Sequence, residues 1–145
     1  MFGAMTTAAA IAALEDEFAL FSDWEERFAY LIDLGRALPP LAEHERTDLT
    51  KVRGCASQVW LVTEERDGRL VFRGESDAYL VKGLIAVLLR IFSDRTPADI
   101  LSVDPRALAA RLGLSDALTA QRSNGLFSMV ARIRREAEAA TSGAR

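Results

Sequence analysis

Two short apolar runs joined by Asp67-Gly68 set the tightest limit on how this chain can fold. Both residues of an Asp-Gly pair tolerate the positive φ of a type I′ turn, so the pair predicts a tight hairpin. Gln58–Glu65 and Arg69–Gly74 supply its strands, rich in branched and aromatic residues that fit a pleated, half-buried surface. In that pairing Leu61 and Thr63 share a face with Leu70 and Phe72, while Trp60, Val62 and Val71 lie on the other. A lone hairpin is marginally stable in water, so Thr50–Arg53 is expected to add a third strand. The second face is too apolar near Trp60 and Val62 to stay fully wet, and more chain or a partner is expected over it.

Helical patterns lie on either side of the hairpin. Ile11, Leu14, Phe18 and Phe21 recur at helical spacing. Asp23 and Glu26 then form a capping pair for a helix that presents Trp24, Phe28, Leu31 and Ile32 and ends near Gly35, before Pro39-Pro40. Leu41–Thr50 is polar and reads as a loop or single helical turn, with His44 a solvated residue rather than a catalytic base. Beyond the hairpin, Ser76 or Asp77 caps the longest periodic run, whose stripe is Leu80, Val81, Leu84, Ile85, Leu88, Leu89 and Phe92. Gly83 inside that run costs about 1 kcal/mol relative to alanine. A close neighbour is therefore expected there, and the sheet is the expected one. Thr96-Pro97 and Asp104-Pro105 open two short helices, with Gly113 ending the second. Thr119 or Ser123 opens the last helix, which turns Leu126, Met129, Val130 and Ile133 inward. Its Arg132, Arg134 and Arg135 read as a solvated face that favours the helix C-terminus. Strands grouped together between helical runs predict an α+β fold: a small antiparallel sheet of about three strands with helices packed on one face. Residues 1–145 read as one domain, with 141–145 a frayed tail.

The hairpin is entered through the only cysteine, Cys55, in the stretch KVRGCASQVWLV. Gly54 before it permits a positive φ, and the small Ala56 and Ser57 after it let another molecule approach the sulfur. Backbone amides around Gly54, with Lys51 and Arg53 nearby, are expected to raise the thiolate fraction. One cysteine excludes an internal disulfide, and one cysteine with one histidine cannot complete a four-ligand zinc site. No loop has the carboxylate spacing of a hard-cation site, so no metal is expected. A net charge of −3 gives no reason to expect nucleic acid or an anionic membrane as partner. The N-terminus lacks a basic start and reaches Glu15 and Asp16 too soon for a signal peptide, and Lys82 and Arg90 bracket the longest apolar run. A cytoplasmic protein in a reducing compartment is expected.

Three segments, VRGCASQVWL, SDAYLVKGLIAVLL and QRSNGLFSMVARIR, resemble in order and spacing the sulfur-acceptor proteins of the SufE type. The upstream WEERFAYLIDLGRALPPL resembles that family's second helix and its exit. The resemblance runs from about Phe18 to Arg135, and its most specific part is GCxSQVW together with the SDAxxVKGL helix start. It implies a SufE/NifU-like fold and a carrier that takes sulfur from a pyridoxal-phosphate cysteine desulfurase, SufS-like or CsdA-like. That carrier stimulates the desulfurase and passes sulfur to an iron–sulfur scaffold of the SufB type, with no cofactor of its own. The family cysteine falls on Cys55, with Gly54, Ser57 and Gln58 supporting its loop. The family's desulfurase-facing positions fall on Arg122 and Asp77, with Lys82 a further candidate. Ala56 stands where members often carry a larger polar residue. The implied protein is a monomer or homodimer.

Two other readings compete. A stand-alone thiol hydrolase or reductase lacks a placed base, an oxyanion motif and a second cysteine to resolve a disulfide. An iron–sulfur scaffold with one cysteine per chain needs thiolates from several subunits. The carrier needs only the one thiol.

Overall fold

The structure, a computed structural model, describes residues 5–142. Its first helix, α1 (Thr7–Phe18), is capped by Thr6 and buries Ala10, Ile11, Leu14 and Phe18. Phe21 falls beyond the helix and stacks instead on Tyr30, ring centroids 5.0 Å apart. The next helix, α2 (Trp24–Arg36), starts where expected, with Asp23 accepting from the Glu26 amide at 2.9 Å. A single 3₁₀ turn, Glu43–Glu45, follows, and His44 is exposed on it.

Asp67 and Gly68 both take positive φ, and they join β1 (Val59–Arg66) to β2 (Arg69–Ser76). The antiparallel register sets Val59 opposite Ser76, Leu61 opposite Gly74 and Thr63 opposite Phe72. Val59, Leu61, Leu70 and Phe72 therefore share the buried face, as the alternation requires. The sheet has two strands, not about three. Thr50–Arg53 contributes an isolated bridge, Lys51 to Trp60, before Arg53 and Gly54 turn the chain away. The loop after α2 crosses part of the outer face: Leu41 N donates to Glu75 Oε1 at 2.7 Å, and Arg73 clasps Glu45 through both guanidinium nitrogens. More chain, then, covers that face.

The central helix α3 (Tyr79–Phe92) buries Leu84, Ile85, Val87, Leu88, Ile91 and Phe92. Neither Ser76 nor Asp77 is its cap residue. Ala78 takes that position, the Ser76 hydroxyl accepts from the Ala78 amide, and Asp77 reaches elsewhere. Gly83 meets α2 rather than the sheet: a Cβ on it would lie 2.2 Å from the Leu31 carbonyl oxygen, and one on Gly35 would lie 2.6 Å from Gly83 N. The two glycines let α2 and α3 cross backbone to backbone.

Short helices α4 (Pro97–Leu101), α5 (Pro105–Arg111) and α6 (Leu114–Ala117) lead to the long α7 (Ala120–Thr141). Thr96, Asp104 and Thr119 cap α4, α5 and α7 with their side chains. Leu126, Met129, Val130 and Ile133 are buried as predicted. The arginines of α7 depart from expectation. Arg132 and Arg134 are half-buried and donate to backbone carbonyls distant along the chain, of Leu49 and Lys51 for the first, and of Leu101 at the end of α4 and Val103 beyond it for the second. Arg135 is exposed. Of the expected tail, Thr141 closes α7 and residues 143–145 lie outside the described residues. No helix among the described residues is long and apolar enough to cross a membrane.

Candidate functional site

Cys55 sits at the tip of a short loop whose two ends are held side by side. Val52 N donates to Val59 O and Leu61 N to Thr50 O, each at 2.8 Å, so residues 53–58 bulge from a closed stem. At φ +88°, Gly54 turns the chain onto α7, where a Cβ would come within 2.5 Å of the Ser128 hydroxyl. The thiol then meets the helix at its one interior glycine. Cys55 Sγ donates to Gly125 O at 3.6 Å, and a Cβ on Gly125 would sit 3.8 Å from that sulfur. On the exit side, Gln58 N donates to Asp77 Oδ1 at 3.0 Å.

The sulfur opens into a pocket of about 260 Å³ between α3 and α7. Val81, Leu84 and Met129 give it an apolar wall, and Gln121 and Arg122 lie at its polar side. A larger groove of about 930 Å³ lies between α5 and α7, lined by Arg106, Arg135 and Glu138 among others, but it contains no thiol. The smaller pocket is the one that holds the cysteine sulfur.

Cys55 is half-buried and unpaired. Burial pushes its thiol above the ordinary value, with no cation acting in the opposite sense. This departs from the expectation for Lys51 and Arg53: in the resting position burial favours the protonated thiol.

The other predicted residues separate by position. Ser57 is half-buried and Gln58 exposed within the loop, and Gln58's amide is the group tied to Asp77. Arg122 is exposed at the pocket. Asp77 is exposed and tied to the loop. Lys82 is half-buried on α3 beside the α2 crossing, where Gly35 approaches its backbone, and does not line the sulfur pocket. Among the described residues no three histidine, cysteine or carboxylate side chains cluster as a metal requires. Reasoning from local sequence missed Gly125 and Ser128, which receive the loop. The one signal for Gly125 was a glycine inside an otherwise regular helix, where it weakens the helix unless something approaches closely.

The SufE family model, described as an Fe–S metabolism associated domain, matches residues 12–137. The chain belongs to the SufE family. Its curated relatives include an uncharacterised SufE-like protein of Rhizobium meliloti, 47% identical over 127 residues that cover 85% of this chain and 91% of that one. A second, from Rhizobium etli, is also 47% identical over 127 residues, covering 85% and 86%. The solution structure of a hypothetical protein from Thermus thermophilus superposes with a TM-score of 0.76 at 19% identity, over 92% of this chain and 96% of that one. It supports the α+β fold. In this SufE-family chain the matched span contains the whole Cys55 loop and the α7 surface that receives it.

Proposed function

We propose that this SufE-family chain is a sulfur carrier. Cys55 accepts the terminal sulfur of a persulfide formed on a cysteine desulfurase, stimulates that enzyme by clearing it, and passes the sulfur to an iron–sulfur assembly scaffold. The observation that carries this reading is the single thiol at the tip of a tethered loop, lodged in a pocket between α3 and α7.

The Cys55 thiol loses its proton to solvent as the loop leaves the pocket, and its thiolate attacks the outer sulfur of the donor persulfide. A Cys55 Sγ–S bond forms, the donor S–S bond breaks, and the donor cysteine leaves as a thiolate. No external oxidant or reductant is needed, because the transferred atom carries its oxidation state with it. A thiolate on the scaffold repeats the exchange at Cys55. Pyridoxal phosphate belongs to the desulfurase in this scheme. Arg122, exposed where the pocket opens, is the residue assigned to docking.

Intact mass after incubation with a cysteine desulfurase and free cysteine tests the proposal. One added sulfur, about 32 Da, is expected on Cys55 and is absent from Cys55→Ser, whose unfolding free energy changes by about 0.5 kcal/mol. Sulfur acceptance by the serine variant, or its global unfolding, would return Cys55 to a structural role.

A further inference from the structure

One face of α7 receives the whole cysteine loop. Gly125 meets the sulfur, Ser128 meets Gly54, and Arg132 meets the chain that leads into the loop. These positions follow one another at three- and four-residue steps, so they form a single stripe about 10 Å long on a rigid helix. Arg132 holds the far end of it. Its Nη1 donates to Lys51 O at 3.1 Å and its Nη2 to Leu49 O at 2.5 Å. Its Nε faces Glu136 one turn on, at 3.5 Å.

The fork fits a gap in the sheet. Thr50 O and Val52 N face β1 and bond to it, so the intervening Lys51 carbonyl points the opposite way, to the side where a further strand would lie. No strand is there among the described residues, and Arg132 supplies the donor instead. A guanidinium is suited to this because its N–H groups are fixed in one plane and reach two carbonyls at once.

We infer that Arg132 is a positioning residue of the sulfur site: by clamping the stem of the Cys55 loop to the helix that also carries Gly125, it seats the sulfur in its pocket. Stem and seat share one rigid element, so the register between them is set by α7 itself. The loop can leave and return to the same place while the clamp holds. The consequence for sulfur transfer rests on the carrier reading given above; the geometry does not.

Arg134 provides an internal control. It lies on the same helix and also donates to two backbone carbonyls, of Leu101 at the end of α4 and of Val103 just beyond it, away from the cysteine. The experiment compares Arg132→Met, Arg132→Lys and Arg134→Met with the parent for alkylation of Cys55 by iodoacetamide, with urea midpoints measured alongside. Arg132→Met should label about five- to thirtyfold faster than the parent, Arg134→Met within about twofold, and Arg132→Lys between them, since an ammonium replaces the fork with a point donor. A persulfide preloaded on Cys55 should be stripped by glutathione faster in Arg132→Met in the same ratio. If Arg132→Met does not fold, the lysine variant carries the comparison. Labelling of the folded Arg132 variant at the parental rate, or an equal rise in Arg134→Met, would overturn the inference. Labelling needs no desulfurase, so failure of the parent to take up sulfur would sink the carrier reading without touching this result.

Discussion

Glycine brings backbones together at two places in this chain, and the two meetings differ in kind. At the α2–α3 crossing, Gly35 and Gly83 face each other inside the core, and every near atom but the Leu31 and Lys82 Cβ is backbone. At the cysteine site, Gly54 and Gly125 let an exposed loop rest on α7, touching a hydroxyl and a thiol. The first meeting has no room and no alternative, because separating it opens the core. The second is held by a sulfur contact, an arginine clamp and two bonds between Gln58 and Asp77, Gln58 N to the Asp77 carboxylate and Asp77 N to Gln58 O at 3.4 Å, under a loop that is largely exposed. One device thus serves a joint sealed inside the core and a loop contact that the carrier reading requires to be releasable.

The sealed joint gives the largest effect. Gly83→Ala puts a methyl group into the Leu31 carbonyl, so the helices must part, and a loss of about 3 kcal/mol or more is expected in the urea-unfolding free energy. A near-parental midpoint would mean that α2 and α3 yield as readily as the loop does. Next comes the latch on the loop contact. Asp77→Ala deletes the acceptor of the Gln58 amide, a bond worth about 1 kcal/mol, so Cys55 should alkylate about fivefold faster while the global midpoint hardly moves. Unchanged labelling would show that the Asp77 carboxylate contributes nothing to the rest position of the loop, which the backbone bond from Asp77 N to Gln58 O would then hold by itself. Gly125→Ala should have the smallest effect and the opposite sign from Gly83→Ala. Its methyl group meets Cys55 at an ordinary contact distance and removes a helix-interior glycine, so the unfolding free energy should rise by about 0.5 kcal/mol. A large destabilisation there would erase the distinction between the two joints.

Much of this was legible in the sequence where the signal was local. Asp67-Gly68 placed the hairpin, alternation placed its buried face, Asp23, Thr96 and Asp104 each announced a helix start, and of the two candidates Thr119 and Ser123 the first caps the last helix. The small residues around Cys55 put it on a turn leading into the first strand, and that is where it lies. What escaped was decided by contacts distant along the chain. Gly83 signalled that something comes close, but a helical period does not say which element it is. The α7 arginines look solvated among their glutamates, since their carbonyl partners lie 81 and 83 positions away for Arg132 and 33 and 31 for Arg134. The missing strand has a local cause that sequence propensity underweighted. Arg53 and Gly54 turn the chain after a single bridge, and the segment is spent on presenting the cysteine.

The closed stem also fixes a length. Cys55 lies three residues from Val52, whose amide is fastened to β1. A fully extended chain spans at most about 3.3–3.6 Å per residue, so the Cys55 Cα can move no more than about 10 Å from that anchor while the sheet stays intact. The cysteine works on a short leash. On the carrier reading proposed above, a donor or acceptor sulfur must come within that radius plus the reach of the Cys55 side chain and the S–S bond it forms, and one recessed further inside its own protein is out of reach.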